Sequence, residues 1–223
     1  MQSTKEQILG YLKRSGDTTV DGIATAFSLA RMTIRQHLAV LERDGLVVSR
    51  EERQRTGRPH LVYCLSEEGQ ERFPKRYDRF ADLALQEVAF LDAAEIAGLS
   101  PEDKKRLLLS KMADRVYQQH APRVRGKALD ARVEAVANIL QEEGGFAEWA
   151  AAGSEYEIVD YNCVYRRVAE SHDDVCDWHV QLLGRLLGRE VQCSQFMSQG
   201  ADSCRFVVSS ESGDAAVRKR TDT

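Results

Sequence analysis

Apolar residues recur every three or four positions at the start of the chain. Ile8, Leu9 and Leu12 fall on one side of a helix, and Gly16, Asp17 and Thr18 break the run. Val20, Ile23, Ala24 and Phe27 predict a second, shorter helix with Thr19 or Asp21 at its N-terminus, closing at Ser28 and Leu29. A third set, Ile34, Leu38 and Leu41, predicts a helix from Arg31 to Arg43 that Asp44 and Gly45 terminate, with either Ala30 or Ser28 at its start. The period then shortens from helical to alternating. Leu46 and Val48 alternate before a turn carrying Arg53, Arg55, Gly57, Arg58 and Pro59, and Leu61, Tyr63 and Leu65 alternate after it, which predicts a hairpin. Three short helices and a hairpin in this order make a winged helix-turn-helix.

Phe73 and Pro74 separate the hairpin from a new helix whose apolar face is Tyr77, Phe80, Leu83, Ala84 and Val88. Ser100, Pro101 and Glu102 supply a cap, a first-turn proline and a first-turn acid for the next helix, which runs through Leu107, Leu108, Met112 and Val116. From Ala128 to Leu140 the pattern is helical again, and Gly144 and Gly145 end it. The stretches FAEWAA and YEIVDYN then read as strands, Arg166 to Leu187 as one or two helices, and EVQCSQF and SCRFVV as two further strands around a turn at Gly200. The expected fold is mostly α with an α+β C-terminal domain. Its expected domains are a reading head over 1–72, a helical connector and dimerisation region over 73–125, a sensor domain over 126–210 and a disordered tail over 211–223.

Composition changes this picture little. Of the 223 residues 43% are hydrophobic and 30% charged, ordinary values for a globular protein. No apolar run approaches the roughly 20 residues of a membrane span and the N-terminus lacks a cleavable signal pattern, so a cytoplasmic protein is expected. Charge is uneven. Residues 1–63 carry ten Lys and Arg against seven Asp and Glu, a net of +3, leaving −7 for the rest of a chain whose formal charge is −4. A basic end on an acidic body suits a protein that meets a polyanion with one end only. Off the buried stripe of the third helix lie Arg31, Thr33, Arg35 and Gln36. Arg and Gln are the types that read guanine and adenine edges in the major groove, while Arg53, Arg55 and Arg58 at the hairpin tip are placed for phosphate. Helix-turn-helix proteins commonly read paired half-sites as dimers, so a homodimer on double-stranded DNA is expected.

Four of the five cysteines fall within one short region: Cys163, Cys176, Cys193 and Cys204, separated by 12, 16 and 10 residues. None of these intervals is a CxxC knuckle, which weakens a structural zinc site, and the same absence argues against a thiol redox enzyme. In a reducing compartment, clustered cysteines point to metal binding rather than disulfides. Iron-sulfur clusters tolerate wide spacing when the fold brings the thiolates together. Cys193, alternating with Val191, also fits a small buried apolar residue, as does Cys64 beside Tyr63. His172 and His179 flank Cys176 as possible ligands.

The run MTIRQHLAVLERDGLV followed by TGRPHLVYCLSEEG resembles the recognition helix and wing of bacterial winged-helix repressors with ArsR/DeoR-like reading heads, particularly the SufR-type iron-sulfur-sensing regulators. NCVYRRVAESHDDVCDWHVQLLGRLLG and GADSCRFVV resemble the sensor domain of that family, in the same order along residues 4 to 208. The resemblance implies a homodimeric repressor of iron-sulfur assembly genes that binds an inverted repeat and carries a 4Fe-4S rather than a 2Fe-2S cluster. On matching positions Cys163, Cys176 and Cys204 are the implied ligands. Cys193 is the candidate fourth, but its intervals depart from the family's nearly even later spacing, which leaves a non-cysteine fourth ligand or an open iron site as alternatives. The alternative is a winged-helix regulator whose C-terminal domain senses zinc or a small organic effector, and no enzymatic activity is expected.

Overall fold

The computed structural model describes residues 3–52 and 60–210. The chain divides into two units, 1–75 and 76–223, each with its own apolar core. The expected hairpin tip, with Arg53, Arg55 and Arg58, and the tail 211–223 lie outside the described residues.

The first unit opens with α1 (Thr4–Ser15). Its cap is reciprocal: the Glu6 amide donates to the Ser3 hydroxyl at 3.3 Å, and the Ser3 amide donates to the Glu6 carboxylate at 2.8 Å. A two-residue strand, β1 (Thr18–Thr19), leads into α2 (Val20–Phe27), where the Thr19 hydroxyl accepts the Gly22 amide at 3.1 Å. Ser28 ends α2 in the left-handed region, at φ 53°. It therefore closes one helix instead of opening the next, and α3 (Arg31–Arg43) starts at Ala30 with no side-chain cap. Ile8, Ile23 and Ile34 are fully buried and Leu12, Leu38 and Leu41 nearly so, making one core from the three helices.

β2 (Val47–Glu52) and β3 (His60–Leu65) pair antiparallel, with β1 on the other side of β3. The core residue of β2 is Val47. Val48, expected inward, is 47% exposed, because the register sets Val47 across from Leu65 and Ser49 across from Tyr63, so the odd positions face the helices. Leu61, on that same odd face, remains 46% exposed. A short α4 (Glu67–Glu71) follows, capped by Ser66, and Gly69 lies flush against the Leu46 carbonyl, where a Cβ would collide.

In the second unit come α5 (Tyr77–Ala89), α6 (Ala93–Ile96), α7 (Pro101–Val124) and α8 (Leu129–Glu142). The strands β4 (Ala147–Ala152), β5 (Glu155–Asp160), β6 (Val191–Gln195) and β7 (Cys204–Ser209) form one antiparallel sheet in the order β4-β5-β7-β6. Between β5 and β6 lie α9 (Arg166–Ser171) and α10 (Asp174–Leu187), the latter packed on α7, α8 and β6. The helices of 76–125 share one core with the sheet, built around Met112, Val136, Ile158, Leu183 and Phe206.

Ser100 caps α7 as its sequence predicts, its hydroxyl accepting the Asp103 amide at 3.1 Å. The inward stripe of α7 is Leu109, Met112, Ala113 and Val116, with Leu107 and Leu108 only half-buried. On α5, Val88, part of the apolar face read from the sequence, is 50% exposed. One turn after Leu83 the inward position belongs to Glu87, buried and paired with Arg115. Among the described residues, no helix is long and apolar enough to cross a membrane.

Two glycines of the first unit should respond oppositely to alanine. Gly69→Ala must displace backbone and should cost about 1–3 kcal/mol. Gly10, inside α1 with open space around its missing side chain, should gain about 0.5–1 kcal/mol from Gly10→Ala. Urea unfolding followed by circular dichroism reads both, and midpoints shifting in the same direction would contradict this packing.

Candidate nucleic-acid interface and cysteine group

Three buried residues set the rotation of α3. With Ile34, Leu38 and Leu41 in the core, the face left to solvent is Arg31, Met32, Arg35, Gln36 and Ala39. Of the residues expected to read DNA, Arg31, Arg35 and Gln36 stand on this face. Thr33 does not: it is half-buried at the edge of the core side. Met32, missed in the sequence, takes the exposed place at 64%. Helical spacing from Arg35 and Gln36 would have found it, but a methionine at the start of an apolar-looking run reads as core. Arg31 pairs with Asp21 at 2.7 Å, both largely exposed, so this contact is weak and open to exchange for a phosphate. No acidic residue occupies the first turn of α3, which would repel the DNA backbone.

The four clustered cysteines come from four places. Cys163 lies in the loop after β5, Cys176 in the first turn of α10, Cys193 in β6 and Cys204 at the start of β7. Three of them converge on residues 195–198. The Cys176 thiol is 3.1 Å from the Ser198 hydroxyl, the Cys193 thiol donates to the Gln195 carbonyl at 3.0 Å, and the Cys204 sulfur accepts the Met197 amide at 3.4 Å. Cys204 also lies within electrostatic range of Cys163 and Cys193, and Cys193 within range of Cys176. Burial pushes the Cys193 thiol up to about 11 and holds the Cys204 thiol well above its ordinary value. The clasp at 195–198 was not legible from spacing, because nothing local marks Met197 or Ser198 as sulfur partners. Cys64 is half-buried in β3 of the first unit. Among the described residues, no three His, Cys, Asp or Glu side chains form a preformed site for a single metal ion.

Cys163 and Cys204 also line a cavity of about 50 Å³ with Trp178, His179, Leu183 and His120. Trp178 packs edge-on against Phe80 and Tyr165, and His179 against Phe206, with ring centroids 5.4–5.6 Å apart. Burial drops His179 to about 4, so its imidazole is neutral, and raises the Tyr165 phenol to about 12. His172, by contrast, is exposed at the end of α9. Asp174 is held below the usual carboxylate range by its bond to Lys105 and belongs to the start of α10.

Residues 2–49 match the family described as bacterial regulatory protein, arsR family. No curated protein matches the chain. Among solved structures, the chain is similar to Bacillus subtilis PadR in complex with operator DNA, at 18% identity and a TM-score of 0.30, covering 85% of this chain and 93% of that one. The family match spans α1, α2 and α3, the last of which presents Arg31, Arg35 and Gln36. With the hairpin that follows them, the chain is a DNA-binding transcriptional regulator of winged-helix type.

Proposed function

We propose that the protein is a homodimeric repressor that binds an inverted-repeat operator through α3 and the hairpin, under the control of an iron-sulfur cluster held by Cys163, Cys176, Cys193 and Cys204. The observation that carries this reading is the meeting of Cys176, Cys193 and Cys204 on residues 195–198, with Cys163 beside Cys204. Four thiols match such a cluster in kind and number, and a cluster of several irons needs its sulfurs farther apart than one ion does. When bound, the cluster, 4Fe-4S in this reading, supplies positive irons that bind thiolates and a charge that changes on oxidation.

The rest is work for this chain's own residues. Cys163, Cys176, Cys193 and Cys204 would hold the cluster as thiolates, Cys193 and Cys204 giving up their protons, and would so tie α10, β6, β7 and the loop after β5 together. The Met197 amide and Ser198 hydroxyl stay at hand to bond the Cys204 and Cys176 sulfurs. A cluster that favours operator binding by some factor must itself be held more tightly on the operator by the same factor. In this reading the four cysteines would no longer be tied together after oxidation or iron shortage and the DNA would be released, with iron-sulfur assembly genes as the fitting targets. Ala81, Leu85 and Val88, exposed along α5 with Leu85 at 70% and Val88 at 50%, support pairing with a second copy. The cavity beside Cys163 and Cys204 favours a second reading, a small organic effector in place of the cluster.

Arg35→Ala should weaken operator binding by about 1–3 kcal/mol and affect unrelated duplex less, as read by fluorescence anisotropy. Equal losses on both DNAs would exclude base reading by this residue. Protein purified without oxygen should be brown, with iron matching sulfide, and Cys163→Ser or Cys204→Ser should lose both colour and tight operator binding while unit 1 stays folded. A colourless wild-type protein that cannot be reconstituted would overturn the cluster and leave the organic effector.

A further inference from the structure

Met32 is the most exposed large apolar side chain among the described residues of the first unit, at 64%. Its place on α3 is not incidental to the fold. The core holds the helix by Ile34, Leu38 and Leu41, and positions 32, 35, 36 and 39 form the opposite stripe at helical spacing. Met32 therefore shares a face with Arg35 and Gln36, one turn nearer the N-terminus, the end of a recognition helix that approaches base edges.

The three side chains offer different chemistry to the same groove. Arg35 brings donors and Gln36 a donor and an acceptor, suited to purine edges. Met32 has no strong hydrogen-bonding group, only an adaptable thioether chain. Across the major-groove edges of the four bases, one apolar group exists, the C5-methyl of thymine. Ala39, at the far end of the stripe, has the same character but little reach. We infer that Met32 is a specificity-determining residue that reads the C5-methyl of a thymine beside the base pair contacted by Arg35 and Gln36. One helical turn rises about 5.4 Å and one base-pair step about 3.4 Å, so the thymine lies about one or two base pairs from that contact. Removing its methyl group takes away roughly one methylene's worth of apolar burial, which weakens binding about fourfold.

This rests on the DNA-reading role of α3, whatever ligand controls it, so the protein is used as purified without oxygen, the state in which the proposed cluster is retained. The test starts by selecting the preferred site of the full-length protein from a randomised duplex pool. Each thymine of that site is then replaced singly by deoxyuridine, and binding is measured for wild type, Met32→Ala and Met32→Leu. The expected result is one position per half-site where wild type and Met32→Leu lose about fourfold and Met32→Ala loses nothing. Wild-type tolerance of deoxyuridine at every position, or an undiminished loss in Met32→Ala, overturns the inference while base reading by Arg35 stands. A pool that enriches no sequence overturns the DNA-reading role itself, and the inference with it, before deoxyuridine is used.

Discussion

A buried carboxylate, Asp160, governs how the cysteine region of this protein is put together. At the end of β5 and only 5% exposed, it accepts the Phe146 amide at 2.8 Å and the Asn162 amide at 3.0 Å. Asn162, fully buried, donates in turn to the Gly144 carbonyl at 2.8 Å. Both amides reach the same carboxylate oxygen, Oδ1, so the turn before β4 and the loop after β5 are bound to one buried atom. Gly145 makes room for this, since a Cβ there would sit 2.8 Å from the Leu140 carbonyl and 2.9 Å from the Asp160 carboxylate. Cys163 is the residue after Asn162, and Cys204 stands across from Asp160 in the β5–β7 register. The network thus sets where the first and last clustered thiols lie relative to each other.

Apolar packing does the equivalent work in the first unit. α1 and α2 each begin with a side-chain cap, whereas α3 begins at Ala30 without one. Its rotation depends on Ile34, Leu38 and Leu41, each contributing about 1.5–3 kcal/mol on burial, more than a cap usually does. Fixing the rotation by the core leaves the opposite face free of structural duty. The residues of that face can therefore vary without disturbing the core.

The cysteine region combines two properties that work against each other in water. Burial keeps the Cys193 and Cys204 thiols neutral, yet three of the four thiols touch polar groups of residues 195–198. Neutral thiols can pack beside Phe206 and Trp178 without a charge to stabilise, and the amide and hydroxyl at 197 and 198 meet the polar side of the sulfurs.

The sequence by itself determined the longer helices and strands, where most of those helices begin and end, and that the chain opens with a winged helix-turn-helix, while the short β1, α4 and α6 carry too few residues to show a period. Periodicity, Ser100 with Pro101, and the glycines at 45, 144 and 200 are local signals, and helix and turn chemistry is local too. It also marked Cys163, Cys176, Cys193 and Cys204 as a set, and their places on a loop, a helix and two strands were legible. Tertiary structure alone decided that Val47 and not Val48 faces the core, that Glu87 with Arg115 displaces Val88, and that Met32 replaces Thr33 on the open face of α3. It alone brought Met197 and Ser198 to the sulfurs and Asp160 beside Cys204. Each of these depends on a strand register, a helix rotation or a meeting of residues far apart in sequence, and such pairings are settled by the packing of the whole core.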